Sequence, residues 1–397
     1  MKFFKLLYLP HLALEHVMKL LTIPDILNLI KTSQYAARLI SLMRIKINKV
    51  FLFWKYSPCV EISRSKDDNF CIEFQWMPKS FMTTLKSRYM LRFDKLIYYT
   101  LHCNKDCLEF SDQILSVFKV EQIEHKFLFI GMEYEVLRKC LSDVLSRKHT
   151  NVSIITNRIG PKFLNYLMET VDKNSGLEIS AFIPNHFQHE NAMVFKSLKY
   201  SKARWVTLNE LKSIRNSDSV FLGETKFTCE DINNFLLYWK NSEFDMMRRL
   251  RIQLAKGSVL TRKVLDGMVN IEFDVSGRTV YNIMAKQKPG RKFLLGKVTI
   301  DKENNVIELE TFLPKELGKE FLLLFQLCER ESKLKKKRNE LNGEEGLIQS
   351  AETLFIPNQK IAGIEIEKKE IDKELCSIQK ELNRLEIYDK DGELYWN

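Results

Sequence analysis

Residues 227–239 read Phe227-Thr-Cys-Glu-Asp-Ile-Asn-Asn-Phe-Leu-Leu-Tyr-Trp239, and Arg248-Arg-Leu-Arg-Ile252 follows shortly after. Thr228 with Asp231 three residues on is a capping box, the pairing that satisfies free amides at a helix start. Ile232, Phe235, Leu236 and Trp239 then recur at three- and four-residue steps, so they share one helix face. The helix runs out at Lys240-Asn241-Ser242, and Leu250-Arg-Ile252 alternates as a strand does. The stretch predicts a helix followed by a strand, the repeating element of an α/β body.

Upstream the same alternation continues. Phe127–Ile130, Val152–Ile155 and Leu177–Phe182 are strand-like, while Tyr134–Leu145 and Phe163–Val171 are helical by period. The strand starts at 127, 152 and 177 are 25 residues apart, a spacing within the range of leucine-rich β/α repeats. The asparagine ladder and strict leucine pattern of that repeat are missing. The reading is therefore a degenerate, leucine-rich-like arc, with a plain α/β layered domain as the competing reading. Arg204–Ile214 pairs a short run with a helix, and Val220–Leu222 is a further strand. Residues 50–76 alternate at period two through Phe51, Phe53, Val60, Ile62, Phe70, Ile72, Phe74 and Trp76, which predicts a hairpin or short meander.

Downstream, residues 268–312 alternate strongly, with turns at Ser276-Gly277-Arg278, Pro289-Gly290 and Asn304-Asn305. They predict an antiparallel meander. Residues 315–388 are charged and helical, broken near Gly343, Gly346 and Pro357. From Ile371 a two-heptad seam runs through Leu375, Ile378, Leu382 and Leu385. Ile371, Leu375, Ile378 and Leu382 either pair with another chain or pack back on the body as an amphipathic helix. Asp391-Gly392 closes a turn before Leu394-Tyr-Trp396.

At the other end, residues 7–44 predict three short helices. Leu9-Pro10 opens the first, since proline suits a first helical turn. Leu12, Leu14, Val17, Leu20 and Leu21 follow at helical steps, Thr22-Ile23-Pro24-Asp25 punctuates, and Ile26, Leu27, Leu29 and Ile30 continue. Ser33-Gln34 precedes a third helix carrying Ala36, Ala37, Leu39, Ile40 and Leu42. A unit this small needs something to pack against.

Leu9-Pro10, Val17, Leu20-Leu21, Pro24-Asp25-Ile26, Leu29, Ser33 and Leu39-Ile40 together resemble an F-box, in the variant expanded in nematodes. Leu12 stands where an acidic residue is usual, and the usual tryptophan of the last helix is absent. Phe227–Trp239 with Arg248–Ile252 is similar to the type-2 F-box-associated domain, spanning about 180–252, and Phe273-Asp-Val resembles the stretch downstream of it. The residue patterns and the resemblance together predict an α+β protein in three parts. These are an F-box at 5–48, a body at 50–312 with its meander at 268–312, and a helical, coiled-coil-like extension at 315–388. The resemblance also implies a substrate receptor of an SCF-type cullin-RING ubiquitin ligase. Leu9, Pro10, Leu12, Val17, Leu20, Leu21, Ile26 and Leu29 would bind a Skp-type adaptor, and through it a cullin. Thr228, Asp231, Phe235, Leu236 and Trp239 would be structural, and the body would hold an unknown target protein.

Composition bounds the alternatives. The chain has 397 residues, 45% of them hydrophobic, including 26 Phe, 13 Tyr and 5 Trp, enough for a substantial core. No run approaches the roughly 18 to 20 apolar residues of a membrane helix. Lys5, Pro10, His11, Glu15 and His16 interrupt any signal-peptide core, so a cytoplasmic or nuclear protein is expected. The 8 cysteines form no compact framework, which fits reduced thiols. His102, Cys103 and Cys107 have no second ligand cluster, so no metal is expected. No phosphate-binding glycine loop or nucleophile pattern occurs, so neither cofactor nor catalysis is expected. The net charge of +11 and the basic run Lys333–Arg338 leave one rival reading. This is a non-ligase scaffold or basic nucleic-acid-binding protein; the run 333–338 by itself reads as an import signal, a contact for an acidic surface, or a solvated helix face. No aromatic-and-basic stacking motif accompanies the charge, which disfavours nucleic acid.

Overall fold

A computed structural model describes residues 6–82, 89–92, 95–129, 134–255, 257–258, 261–275, 278–313, 319–350, 358–385, 387–390 and 393–396. The turn at Ser276-Gly277, the break at Pro357 and the turn at Asp391-Gly392 lie outside them. The chain is mixed α/β and divides into two compact units, 1–202 and 203–397.

The first unit opens with helices α1 (His11–Leu20), α2 (Ile23–Thr32) and α3 (Gln34–Leu42). Then come β1 (Lys46–Trp54), β2 (Cys59–Ser63), β3 (Asn69–Trp76), α4 (Lys79–Met82), β4 (Tyr89–Arg92) and β5 (Lys95–Thr100). The unit continues with α5 (Cys103–Val117), β6 (Lys119–Leu128), α6 (Tyr134–Leu145), β7 (Asn151–Arg158), α7 (Pro161–Thr170), β8 (Gly176–Phe182) and β9 (Ser197–Tyr200). Its strands run in the order β4-β5-β3-β2-β1-β6-β7-β8-β9. β1–β2–β3 is the expected antiparallel meander. β1 also pairs in parallel with β6, and β6 to β9 are parallel throughout. Parallel neighbours need crossover connections, and α6 and α7 supply them.

The burial phase of β1 differs from the period-two expectation. Val50, Leu52 and Trp54 are buried, and Phe51 and Phe53 are half-buried. From Val50 the buried phase falls on the even-numbered residues, while Phe51 and Phe53 lie on the half-buried face under the ammonium groups of Lys49, Lys55 and Lys126.

The second unit holds α8 (Leu208–Lys212), β10 (Ser217–Leu222), α9 (Cys229–Asn241) and β11 (Met247–Gln253). A meander follows in β12 (Asn270–Val275), β13 (Arg278–Met284), β14 (Leu295–Asp301) and β15 (Val306–Phe312). Two long helices come next, α10 (Lys319–Ser350) and α11 (Asn358–Arg384), then the hairpin β16 (Ile387–Lys390) and β17 (Glu393–Trp396). The strand order is β10-β11-β15-β14-β13-β12-β17-β16, with β10–β11 and β12–β17 parallel and the other pairs antiparallel.

The seam of α11 is occupied within the unit. Ile378 and Leu382 are buried with Leu324, Phe325 and Cys328 of α10 and with Ile271 and Leu295 of the meander. Ile371 and Ile364 pack with Leu341, and Leu375 lies against them half-buried. Across the two helices Lys337 pairs with Glu367 at 2.5 Å, Arg338 with Asp372 at 3.0 Å, and Arg330 with Glu374. Lys335 pairs with Glu331 at 2.8 Å along α10. Most of the basic run at 333–338 therefore faces carboxylates of its own unit.

Candidate functional site: the helical face and the signature helix

The N-terminal helices are fixed by their caps. The Asp25 amide donates to the Thr22 hydroxyl, and the Thr22 amide donates back to the Asp25 carboxylate. The Ala36 amide donates to Ser33 Oγ at 3.1 Å and starts α3. Leu14, Met18, Ile23, Ile26, Leu27, Ala36 and Ile40 are buried. The Arg64 guanidinium, in the β2–β3 turn, donates to the Leu21 carbonyl at 2.7 Å and satisfies the C-terminal end of α1.

The eight residues expected to bind an adaptor divide by exposure. Leu12 is 72% exposed and Leu20 84%, and Pro10 is also exposed. Leu9, Val17, Leu21 and Leu29 are half-buried. Ile26 is fully buried and belongs to the interior of the unit. Leu12, His16 and Leu20 are exposed at four-residue steps along α1, so they form one stripe. Covering a leucine of this kind is worth about 1.5–3 kcal/mol.

The five signature residues act together on α9. Thr228 and Asp231 form the expected reciprocal cap, with the Thr228 amide donating to Asp231 at 2.9 Å and the Asp231 amide to Thr228 Oγ1 at 3.2 Å. Phe235, Leu236 and Trp239 are buried. Asn233, also on α9, donates to the carbonyls of Val264 and Asp266 at 3.1 and 2.9 Å. Gly296 on β14 lies against the indole: a Cβ there would stand 2.7 Å from Trp239.

The residue that locks this helix was missed in the sequence reading. Arg291 is buried, its guanidinium lies 4.8 Å from the Trp239 ring, and Nη1 donates to the carbonyls of Trp239 at 2.6 Å and Ser242 at 2.9 Å. The C-terminal carbonyls of α9 are thus satisfied by a cation, which also suits the helix dipole. Asp245 accepts from the amides of Lys292 at 3.1 Å and Phe293 at 3.0 Å, holding the segment in place. Burial lowers the Arg291 pKa to about 10, against the opposing charge of Asp245. One arginine beside Pro289-Gly290 gives no periodic signal, and only the turn next to it was readable.

Residues 186–252 match the family described as F-box associated. The matched segment contains all five signature residues and ends on β11. The chain is also similar to the Skn-1 dependent zygotic transcript 15 protein of Caenorhabditis elegans, 26% identical over 154 residues. That match covers 37% of this chain and 44% of the relative, so it spans less than half of either protein. No solved structure shows a significant match. With the fold, these findings support a nematode-type F-box-associated protein. No described helix is long and apolar enough to cross a membrane.

Proposed function

We propose that this protein is a non-catalytic substrate receptor of an SCF-type cullin-RING ubiquitin ligase. The stripe of Leu12 and Leu20 on α1, with Pro10 and the half-buried Leu9, Val17, Leu21 and Leu29 around it, docks a Skp-type adaptor. The adaptor bridges to a cullin, and the α/β body holds the target protein. The receptor accelerates ubiquitin transfer by raising the target's effective concentration beside a charged conjugating enzyme. The parallel run β6–β9 supports the leucine-rich-like description of the body.

One observation carries the reading: an exposed apolar stripe on a three-helix module stands in the same chain as an F-box-associated segment. An apolar stripe with a polar surround is the form of a protein–protein interface core. Co-precipitation from cells expressing the tagged full-length chain tests it. Adaptor and cullin are recovered together with wild type, and both are lost with Leu12→Asp/Leu20→Asp. Equal recovery from the two chains would remove the reading. Mass spectrometry of the same precipitates identifies targets held by both forms.

A further inference from the structure

In the second unit, the end of α9, the loop between β13 and β14, and one flank of α10 border a cavity of about 420 Å³. Gln326, Glu329 and Lys333 reach it from α10, at three- and four-residue steps that share one helix face. The neighbouring face of α10 carries Leu324, Phe325 and Cys328 into the core. Lys240 comes from the last turn of α9, and Lys286, Gln287 and Lys288 come from the loop. The loop is tied down at both ends. The Lys286 amide donates to the Lys240 carbonyl at 2.8 Å, and the Ala285 amide donates to the Leu294 carbonyl at 2.8 Å. Its lysines are therefore held at the cavity before any ligand arrives.

Four lysines thus share the cavity with a single carboxylate. Glu329 is matched by Lys240 at 3.0 Å. Lys288 has only the exposed Glu243, at 3.7 Å and outside the lining, and a contact of that kind contributes about 0–1 kcal/mol. Among the described residues, Lys286 and Lys333 form no ion pair. Lys333 is the one cation of the run 333–338 that no carboxylate of the unit answers, since Lys335, Lys336, Lys337 and Arg338 all pair. A second cavity of about 590 Å³ shares Lys240, Glu329 and Lys333 with the first and adds Arg262, Lys335 and Lys336. Cations gathered in a concave site with too few carboxylates repel one another and focus a positive potential there.

We infer that this cavity binds a small polyphosphate, an anion of several phosphoryl groups held chiefly by Lys286 and Lys333. The inference does not depend on adaptor docking. Each ammonium brings three donors on a mobile stem and acts as a point charge, which suits phosphate oxygens approached from several sides. Planar carboxylates are better read by the fork of an arginine. No arginine lines the smaller cavity, and the nearby Arg291 is occupied by the carbonyls of Trp239 and Ser242. Gln287 and Gln326 add carboxamide donors. No aromatic side chain lines either cavity, so a nucleobase has nothing to stack on and the phosphates carry the binding. A bound polyphosphate neutralises lysines that otherwise repel, and so stabilises the folded chain by mass action.

The test titrates sodium tripolyphosphate into the full-length chain by calorimetry at physiological ionic strength and follows thermal melting of the same samples. The expected result is saturable one-to-one binding and a melting temperature that rises with tripolyphosphate. Lys286→Gln/Lys333→Gln weakens the Kd at least tenfold and abolishes the rise. Lys66→Gln/Lys302→Gln removes the same charge from exposed turns that line neither cavity, and changes the Kd less than twofold. Absence of saturable binding by the wild-type chain overturns the inference. So does an equal loss in the two double variants, which marks attraction to net charge alone. Tighter binding of citrate than of tripolyphosphate would make the site one for carboxylates, and tighter binding of a short single-stranded RNA would make it one for nucleic acid; either result also overturns it.

Discussion

Arg291 and Trp239 lie 52 residues apart in the chain, yet the arginine ends the helix that carries the indole. Arg291→Ala removes the guanidinium donor from the carbonyls of Trp239 and Ser242, leaving the Trp239 carbonyl with only the Ser242 amide at 3.2 Å. The expected loss is about 2–3 kcal/mol, read as a lower urea midpoint of the full chain. A second residue makes a pH prediction. His125 is buried on β6, where Trp54 Nε1 donates to its Nδ1 at 3.3 Å and the His149 ring stands 6.2 Å away. Burial, with smaller contributions from His149 and Arg147, lowers the His125 pKa from 6.5 to about 3. The unfolded chain therefore takes up a proton that the folded chain refuses. The stability contributed by neutral His125 is complete above about pH 6.5 and is lost as pH falls toward 3, at up to about 1.4 kcal/mol per pH unit. Comparing urea midpoints between pH 7 and 4 for wild type and His125→Gln checks this, and the variant's slope should be the shallower. Neither residue was legible in the sequence. An isolated arginine or histidine has no period, and its meaning comes from partners that only the fold brings near.

Elements were easier to read where their causes are local. Thr228 and Asp231 sit three residues apart and satisfy each other's amides, so the start of α9 was readable before any tertiary contact. Thr228→Ala should cost about 1 kcal/mol, measurable as a lower denaturation midpoint with the α9 packing retained. The meander β12–β15 was likewise legible, since its alternation and turns are short-range. By contrast, the parallel pairing of β1 with β6 was not. Parallel strands are joined by long crossovers, and nothing in residues 46–54 names residues 119–128 as their neighbour. The two-heptad seam on α11 was visible as a stripe, but a stripe does not say what covers it. Residues of α10 and the meander do, from within the same unit.

For the whole molecule, residues 186–252 match the F-box-associated family, and the N-terminal module is where the proposed receptor role can be tested. Its burial pattern separates residues that hold the module together from those that a partner can reach. Ile26 is one of the first kind and Leu12 and Leu20 are of the second. The sequence pattern ran these together because helical spacing marks an apolar face and does not show which apolar residues lie inside. The distinction selects the variants, since replacing exposed leucines leaves the core of the unit intact. The most direct measurement is a binding isotherm of a purified Skp-type adaptor to the full-length chain, alongside thermal melting of each variant. We predict saturable one-to-one binding by wild type and at least a tenfold weaker Kd for Leu12→Asp/Leu20→Asp, with melting unchanged. Absence of binding by the wild-type chain, or equal affinity in the two, would contradict the account.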